Sequence, residues 1–425
     1  MDRRTLLAGL SAALVARPML AAAQGQGAPP PQPTPSRAER IGAAARQHRL
    51  RLDRSGGAFS GPAWEALLAR GREARFFLIG EQHGIAENAR LAAVLFQALV
   101  PAGYAHVVIE TSPPMATAMD AVLRGGLEAY RRFYADPASR TAFFGMREEA
   151  EWLTTARAAV PHARPVLWGT DYEVGADRHL IRLLKAKPKP LAAQRALAAL
   201  ESASMASWAR YATTREPRHI FSFAGDPALV ASLRTAWPHP DAEAQQIMDT
   251  LQGTFEINRL WAEQRGWASN ARRAALMRAN FLDHWRAERA ARRRPRVMLK
   301  MGAFHMTRGL TPTGVYDLGT LLPELAALEG GTAFQLLVLN GRGTQTAQLD
   351  PTSFTYRARP TDDFHAALAP LMDAVFETGF TLFDMAPLKA IARVGAEGLD
   401  PDLVRIVHGF DAVLVMTGST PSANL

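Results

Sequence analysis

The stretch Phe76-Phe77-Leu78-Ile79-Gly80-Glu81-Gln82-His83-Gly84, with Glu87 three residues on, decides the fold class. A short apolar β-rich run reads as a strand buried on both faces, and here it stops at a glycine and opens directly onto ionisable side chains. From Glu87 to Val100 the period changes, placing Leu91, Val94, Leu95 and Ala98 on one face of a helix. The same strand-then-helix rhythm recurs downstream. Further strands are expected at His106 to Glu110, Pro165 to Gly169, Val297 to Met301, Phe334 to Leu339 and Ala412 to Met416, with a weaker one at His219 to Phe223. Such alternation predicts an α/β fold with a mostly parallel central sheet flanked by helices. Long helical periods fill Asp241 to Arg265 and Ser269 to Arg292, and residues from about 176 to 265 show little strand signal. That region is expected to be a helical insertion or cap on a single α/β domain spanning 37–425.

Working outward, the first residues read as a targeting segment. Arg3 and Arg4 precede a short apolar stretch from Leu6 to Ala16, which is too brief to span a bilayer, and Ala21-Ala22-Ala23 offers a small-residue cleavage site. Residues 1–23 are therefore expected to be a cleavable export signal of the twin-arginine type, and the mature protein to be periplasmic or secreted with no membrane span. Residues 24–36 read QGQGAPPPQPTPS, a Pro/Gly-rich linker incompatible with helix or sheet.

Composition narrows the chemistry. The 425 residues carry 49 Lys+Arg against 40 Asp+Glu, a formal charge of +9, and 48% are hydrophobic, a globular balance. The densest basic run, Arg292-Arg293-Arg294, ends a helical stretch, where cations suit the helix dipole, so no nucleic-acid partner is expected. With no cysteine, disulfides, thiol nucleophiles and thiolate metal sites are excluded, leaving His, Asp and Glu as ligands for any metal.

In an open α/β sheet, ligands bind beyond the carboxyl ends of the strands, and the ionisable residues of this chain collect there. The first strand delivers Glu81 and His83, the second Glu110, the third Asp171 and the fourth Lys300 and His305. The helix before that fourth strand carries Arg273, Asn280 and His284, seven and eleven positions apart and hence nearly on one stripe. A histidine beside a helix N-terminus is expected to stay neutral, which suits His83 to act as a general base with Glu81 orienting its ring. Lys300, inside an apolar run, must meet a carboxylate or a ligand.

Taken in order, Gly80-Glu81-x-His83-Gly84-x-x-Glu87, Val107-Val108-Ile109-Glu110, Gly169-x-Asp171, Arg273-x-x-x-Met277-x-x-Asn280 and Gly302-x-x-His305 resemble the erythromycin esterase-like family and its ChaN and TIKI relatives. The resemblance implies a hydrolase in which His83 activates water against an ester or lactone, with Glu81, Glu110 and His305 completing the catalytic set. It makes Arg273 and Asn280 supporting groups, and together with Glu87, Asp171 and Lys300 they are expected to bind substrate. The spacing of Glu81 and His83 follows the ChaN type, and of the esterases' later His-Asn-x-His motif only His305 remains. That reading requires no cofactor; the ChaN type implies haem or iron binding instead, and the TIKI type a divalent metal. No G-x-S-x-G elbow, H-E-x-x-H helix or G-x-x-x-x-G-K-[ST] loop offers another nucleophile, zinc site or phosphate cradle. The expected partner is a small-molecule ester or lactone, and the expected nucleophile is water.

Overall fold

The computed structural model describes residues 34–425 apart from 163–164, 362–363 and 394–396. The export signal and most of the linker expected from the sequence lie outside the described residues. Eleven strands are present among the described residues: β1 (Arg49–Ser55), β2 (Ala58–Ser60), β3 (Ala74–Glu81), β4 (Tyr104–Ile109), β5 (Leu167–Gly169), β6 (Arg296–Gly302), β7 (Thr332–Asn340), β8 (Gln345–Asp350), β9 (Thr355–Pro360), β10 (Phe380–Asp384) and β11 (Ala412–Met416). Nine of them form one sheet in the order β2-β1-β10-β11-β7-β3-β6-β4-β5, and β8 pairs with β9 as a separate hairpin. From β11 to β5 every neighbour is parallel, while the β2-β1-β10-β11 edge is antiparallel. The fold is α/β with a mostly parallel sheet flanked by helices, and Ser36–Leu425 form one compact unit.

Each face of the sheet has its own core. Phe77, Ile79, Val107, Ile109 and Met298 pack under the helices Pro62–Glu73, Ala86–Leu99 and Arg147–Ala159. The alternate residues Phe76, Leu78, Val108, Leu299 and Met301 pack on the opposite face against Met277, Phe281 and Trp285 of the long helix Gly266–Ala290. Parallel strands buried on both faces have no polar alternation, which is why their sequences read as continuous apolar runs.

Between Asp177 and Ala262 the chain is a succession of helices with a third apolar cluster that includes Leu180, Leu200, Leu233, Ile247 and Phe255. The weak strand expected at His219 to Phe223 is not one: Pro217–His219 is a 3-10 turn and Phe221–Ala224 a single helical turn. Pro217 takes the first position of that turn, where its missing N–H costs nothing, and so diverts an apolar run from extended structure. The antiparallel strand β1 carried too little apolar signal to be anticipated, because it alternates Arg49-Leu50-Arg51-Leu52; β10 was not anticipated either, although it is buried along most of its length.

Candidate active site

The carboxyl ends of β3, β4, β5 and β6 open into a cleft of about 570 Å³, within the size range of small-molecule sites. Its floor is ionic, built from Glu81, His83, Glu110, Asp171, Arg273 and His305. Its walls are apolar, and they include Phe143, Ile220, Phe223, Phe304, Phe354 and Phe364. Ile220 and Phe223 come from the helical region, whereas Phe354 follows the turn of the β8–β9 hairpin.

Register explains how the strands deliver the floor. Side chains two residues apart share a face, and Lys300 of β6 pairs with Ile79 of β3, so its ammonium lies next to Glu81. Lys300 Nζ donates to Glu81 Oε1 at 2.8 Å and to Glu149 Oε1 at 2.6 Å. The same Glu81 oxygen sits 3.1 Å from His83 Nδ1, and the other oxygen accepts from Asn88 Nδ2. Across the cleft, His305 Nδ1 lies 2.7 Å from Asp317 Oδ2. Two histidines are thus each held at Nδ1 by a carboxylate, and both turn Nε2 toward Glu110, at 3.5 Å for His83 and 3.4 Å for His305. Glu110 is further held by Arg273 Nη2 at 2.7 Å and by the Gly302 backbone N–H at 2.8 Å. A Cβ at Gly302 would approach His83 Nε2 to 3.0 Å, so the imidazole would have to give by a few tenths of an ångström.

This geometry sets the protonation states. Burial works against the imidazolium of His83, but Glu110 and Glu81 outweigh it and raise the pKa above the ordinary histidine value. The direction is opposite to the one expected from a nearby helix N-terminus, because two carboxylates lie against the ring. For His305, burial and Arg273 oppose protonation, yet Glu110 and Asp317 push its pKa up to about 10. Burial favours a neutral Glu110, and His305, His83 and Arg273 reverse this, holding it well below the usual carboxylate range.

His83 stacks on Phe143, with ring centroids 4.1 Å apart and planes 16° from parallel. Phe143 has φ of 67°, and Phe354 on the opposite wall has φ of 54°. A bulky residue in the left-handed region costs about 1–3 kcal/mol, so strain is concentrated on two aromatic residues of the cleft.

No family model matches the chain, and no curated protein matches it in sequence. Solved structures do match in fold. A mutant of the erythromycin esterase EreC in its open conformation superposes with a TM-score of 0.55 at 17% identity, over 85% of this chain and 95% of the esterase. The fold is that of an erythromycin esterase. A Bacillus cereus protein matches at TM-score 0.54 and 14% identity over 92% of this chain and 100% of its own. A succinoglycan biosynthesis protein matches at 0.58 and 11% identity over 91% and 98%.

Within this erythromycin esterase-like fold, six of the nine residues singled out from sequence meet in one place: Glu81, His83, Glu110, Asp171, Arg273 and His305 line the cleft. Arg273 reaches it by a two-pronged pairing with Asp171, in which Nε donates to Oδ1 at 2.9 Å and Nη2 to Oδ2. Glu87, Asn280 and Lys300 do not line the cleft. Glu87 follows the turn onto the first helical residues and pairs instead with Arg54 and the Thr420 backbone N–H. Asn280 donates to the Thr170 carbonyl at 2.8 Å, clamping the chain that carries Asp171. Lys300 lies beneath the floor with 2% of its side chain exposed.

Three residues escaped sequence reasoning. Asp317 looks like a helix N-cap and does accept from the Leu318 N–H, while its other oxygen holds His305. Glu149 looks like an ordinary acidic residue in the first turn of a helix. Phe143 lies in a loop with no periodic signal.

Among the described residues no three His, Asp or Glu side chains are grouped to hold a metal ion, and the Arg273 guanidinium already sits against Glu110.

Proposed function

We propose that this chain is an exported hydrolase that cleaves an ester or lactone with water activated by His83. One observation carries the reading: His83 lies at the cleft with Nδ1 against Glu81 and Nε2 3.5 Å from Glu110, and His305 and Arg273 line the same cleft. Glu81 accepts the Nδ1 proton and so leaves the lone pair on Nε2, the tautomer a general base needs. Neutral His83 takes a proton from water at Nε2, and the hydroxide attacks the ester carbonyl. Cationic His305 and Arg273 stabilise the oxyanion, which in a dry site is the largest contribution such groups make. Glu110 lies between the two imidazoles and holds them facing the same point. Export through residues 1–23 is supported by Arg3-Arg4 and the Ala21-Ala22-Ala23 site. It places the activity in the periplasm or outside the cell.

Of the ester substrates, the cleft favours bulky apolar ones, since its volume suits a drug-sized ligand and phenylalanine rings make up much of its wall. The test is hydrolysis by the purified mature protein across a panel from small aryl esters to macrocyclic lactones, with the His83→Ala variant alongside. Turnover by the wild type that is lost in the folded variant supports the assignment. Equal turnover by both removes His83 from the role, and no turnover by the wild type overturns the hydrolase.

A further inference from the structure

We infer that the buried Lys300–Glu149 pair, which touches neither the cleft nor its contents, adjusts how readily His83 takes up a proton, acting through Glu81. The inference rests on the reading of His83 as the base and adds what governs it. Lys300 and Glu149 expose 2% and 4% of their side chains, and Lys300 stands between Leu299 and Met301 in the centre of the sheet. Two buried ions are costly there, and an apolar pair of similar volume would serve packing as well or better. The geometry gives them another use. A single oxygen, Glu81 Oε1, lies against both the Lys300 ammonium at 2.8 Å and His83 Nδ1 at 3.1 Å, so the two cations compete for one negative charge. Glu149 in turn competes with Glu81 for Lys300, at 2.6 Å.

The groups facing His83 come from every element around it. Glu81 at the end of β3 and Glu110 after β4 favour the imidazolium, and Lys300 of β6 opposes it. Glu149, from the helix Arg147–Ala159, reaches His83 through Lys300, and Arg273 and His305 reach it through Glu110. The two carboxylates against its ring favour the imidazolium and so work against His83 as a base. Lys300 weakens that hold from the Glu81 side. Glu149, by drawing on Lys300, limits how far it weakens.

The two members therefore act with opposite sign. Lys300→Met should raise the pKa of His83, and Glu149→Gln should lower it, both read by NMR titration of the His83 ring in the full mature protein without any substrate. Where turnover is measurable, kcat/KM on the acid limb should fall about tenfold for Lys300→Met and rise for Glu149→Gln, with KM little changed, the size expected when a charge beside an ionisable group is removed. A purely structural pair would change stability and leave the titration in place. A static His83 titration in a folded variant, or movement of both in the same direction, overturns the inference. Glu149→Gln is nearly isosteric and keeps an acceptor for Lys300, so it decides the question if the Met variant fails to fold. Absence of any esterase turnover would sink the hydrolase reading alone, because the titration needs no substrate.

Discussion

Glu148 and Glu149 are neighbours on one helix, as Glu81 and Glu87 are neighbours in one motif, yet they belong to two clusters with opposite characters. Glu87 and Glu148 join Arg54, Arg90 and Arg147, and they accept from the backbone N–H groups of Thr420 and Ala423. Several donors serve each carboxylate there, and Arg54 and Arg90 remain about a third exposed, so the charges are well compensated and the C-terminal segment is stapled to two helices. Glu81 and Glu149 share one buried ammonium, and Glu81 spends its remaining capacity on His83 and Asn88. The difference teaches that a buried carboxylate is structural when donors are plentiful and adjustable when they are scarce. A rotation of about 100° along the helix separates Glu148 from Glu149 and sends them to different tasks.

The largest effect that tests this contrast is on turnover. His83→Ala should lower kcat by about 100-fold or more while the protein stays folded, whereas Glu148→Gln should leave kcat unchanged. Loss of turnover in the Glu148 variant would break the distinction between the clusters. The pH dependence sharpens it further: because Glu110 and Glu81 raise the pKa of His83 against the effect of burial, kcat/KM should climb with pH through a value above 6.5, and a rise centred lower would contradict the contacts seen here.

Next comes stability. The folded pKa of His305, about 10, lies above its ordinary 6.5, so its contribution is fully present below pH 6.5 and is lost as pH rises toward 10. The urea midpoint should therefore fall over that interval in the wild type, and the fall should be smaller in His305→Gln. Parallel curves for the two proteins would remove His305 from the cause. Glu148→Gln should cost about 1–3 kcal/mol by weakening acceptors for the Ala423 N–H and two arginines, read as a lowered midpoint at constant slope. The smallest effect belongs to Asn280→Ala, which deletes one hydrogen bond to the Thr170 carbonyl and should cost about 0.5–1.5 kcal/mol.

Legibility in the sequence followed a physical boundary. The parallel strands were readable because burial on both faces demands unbroken apolar runs, and β11 was expected at Ala412 to Met416, the bounds it has. β1 was not, since its alternation of arginine and leucine gives it a single apolar face. The weak strand at His219 to Phe223 shows the converse, an apolar run that a proline turned into helical turns. At the site, His83, Glu81, Glu110 and His305 announced themselves as ionisable groups at strand exits, where burial without a partner or a use is expensive. Asp317, Glu149 and Phe143 carried ordinary local explanations, a cap, an acidic first turn and a loop aromatic, that hid their contacts.

What the sequence alone determined was the alternation of strand and helix, the absence of cysteine chemistry and the set of ionisable residues brought to one edge of the sheet. Those follow from period and composition, which are local along the chain. Tertiary structure alone decided which carboxylate meets which cation: that Lys300 lies under the cleft and not in it, that Glu87 became a staple, and that two acids against His83 raise its affinity for a proton where the helix N-terminus predicted the reverse. Such pairings depend on strand register and helix rotation, where one residue of shift exchanges one partner for another.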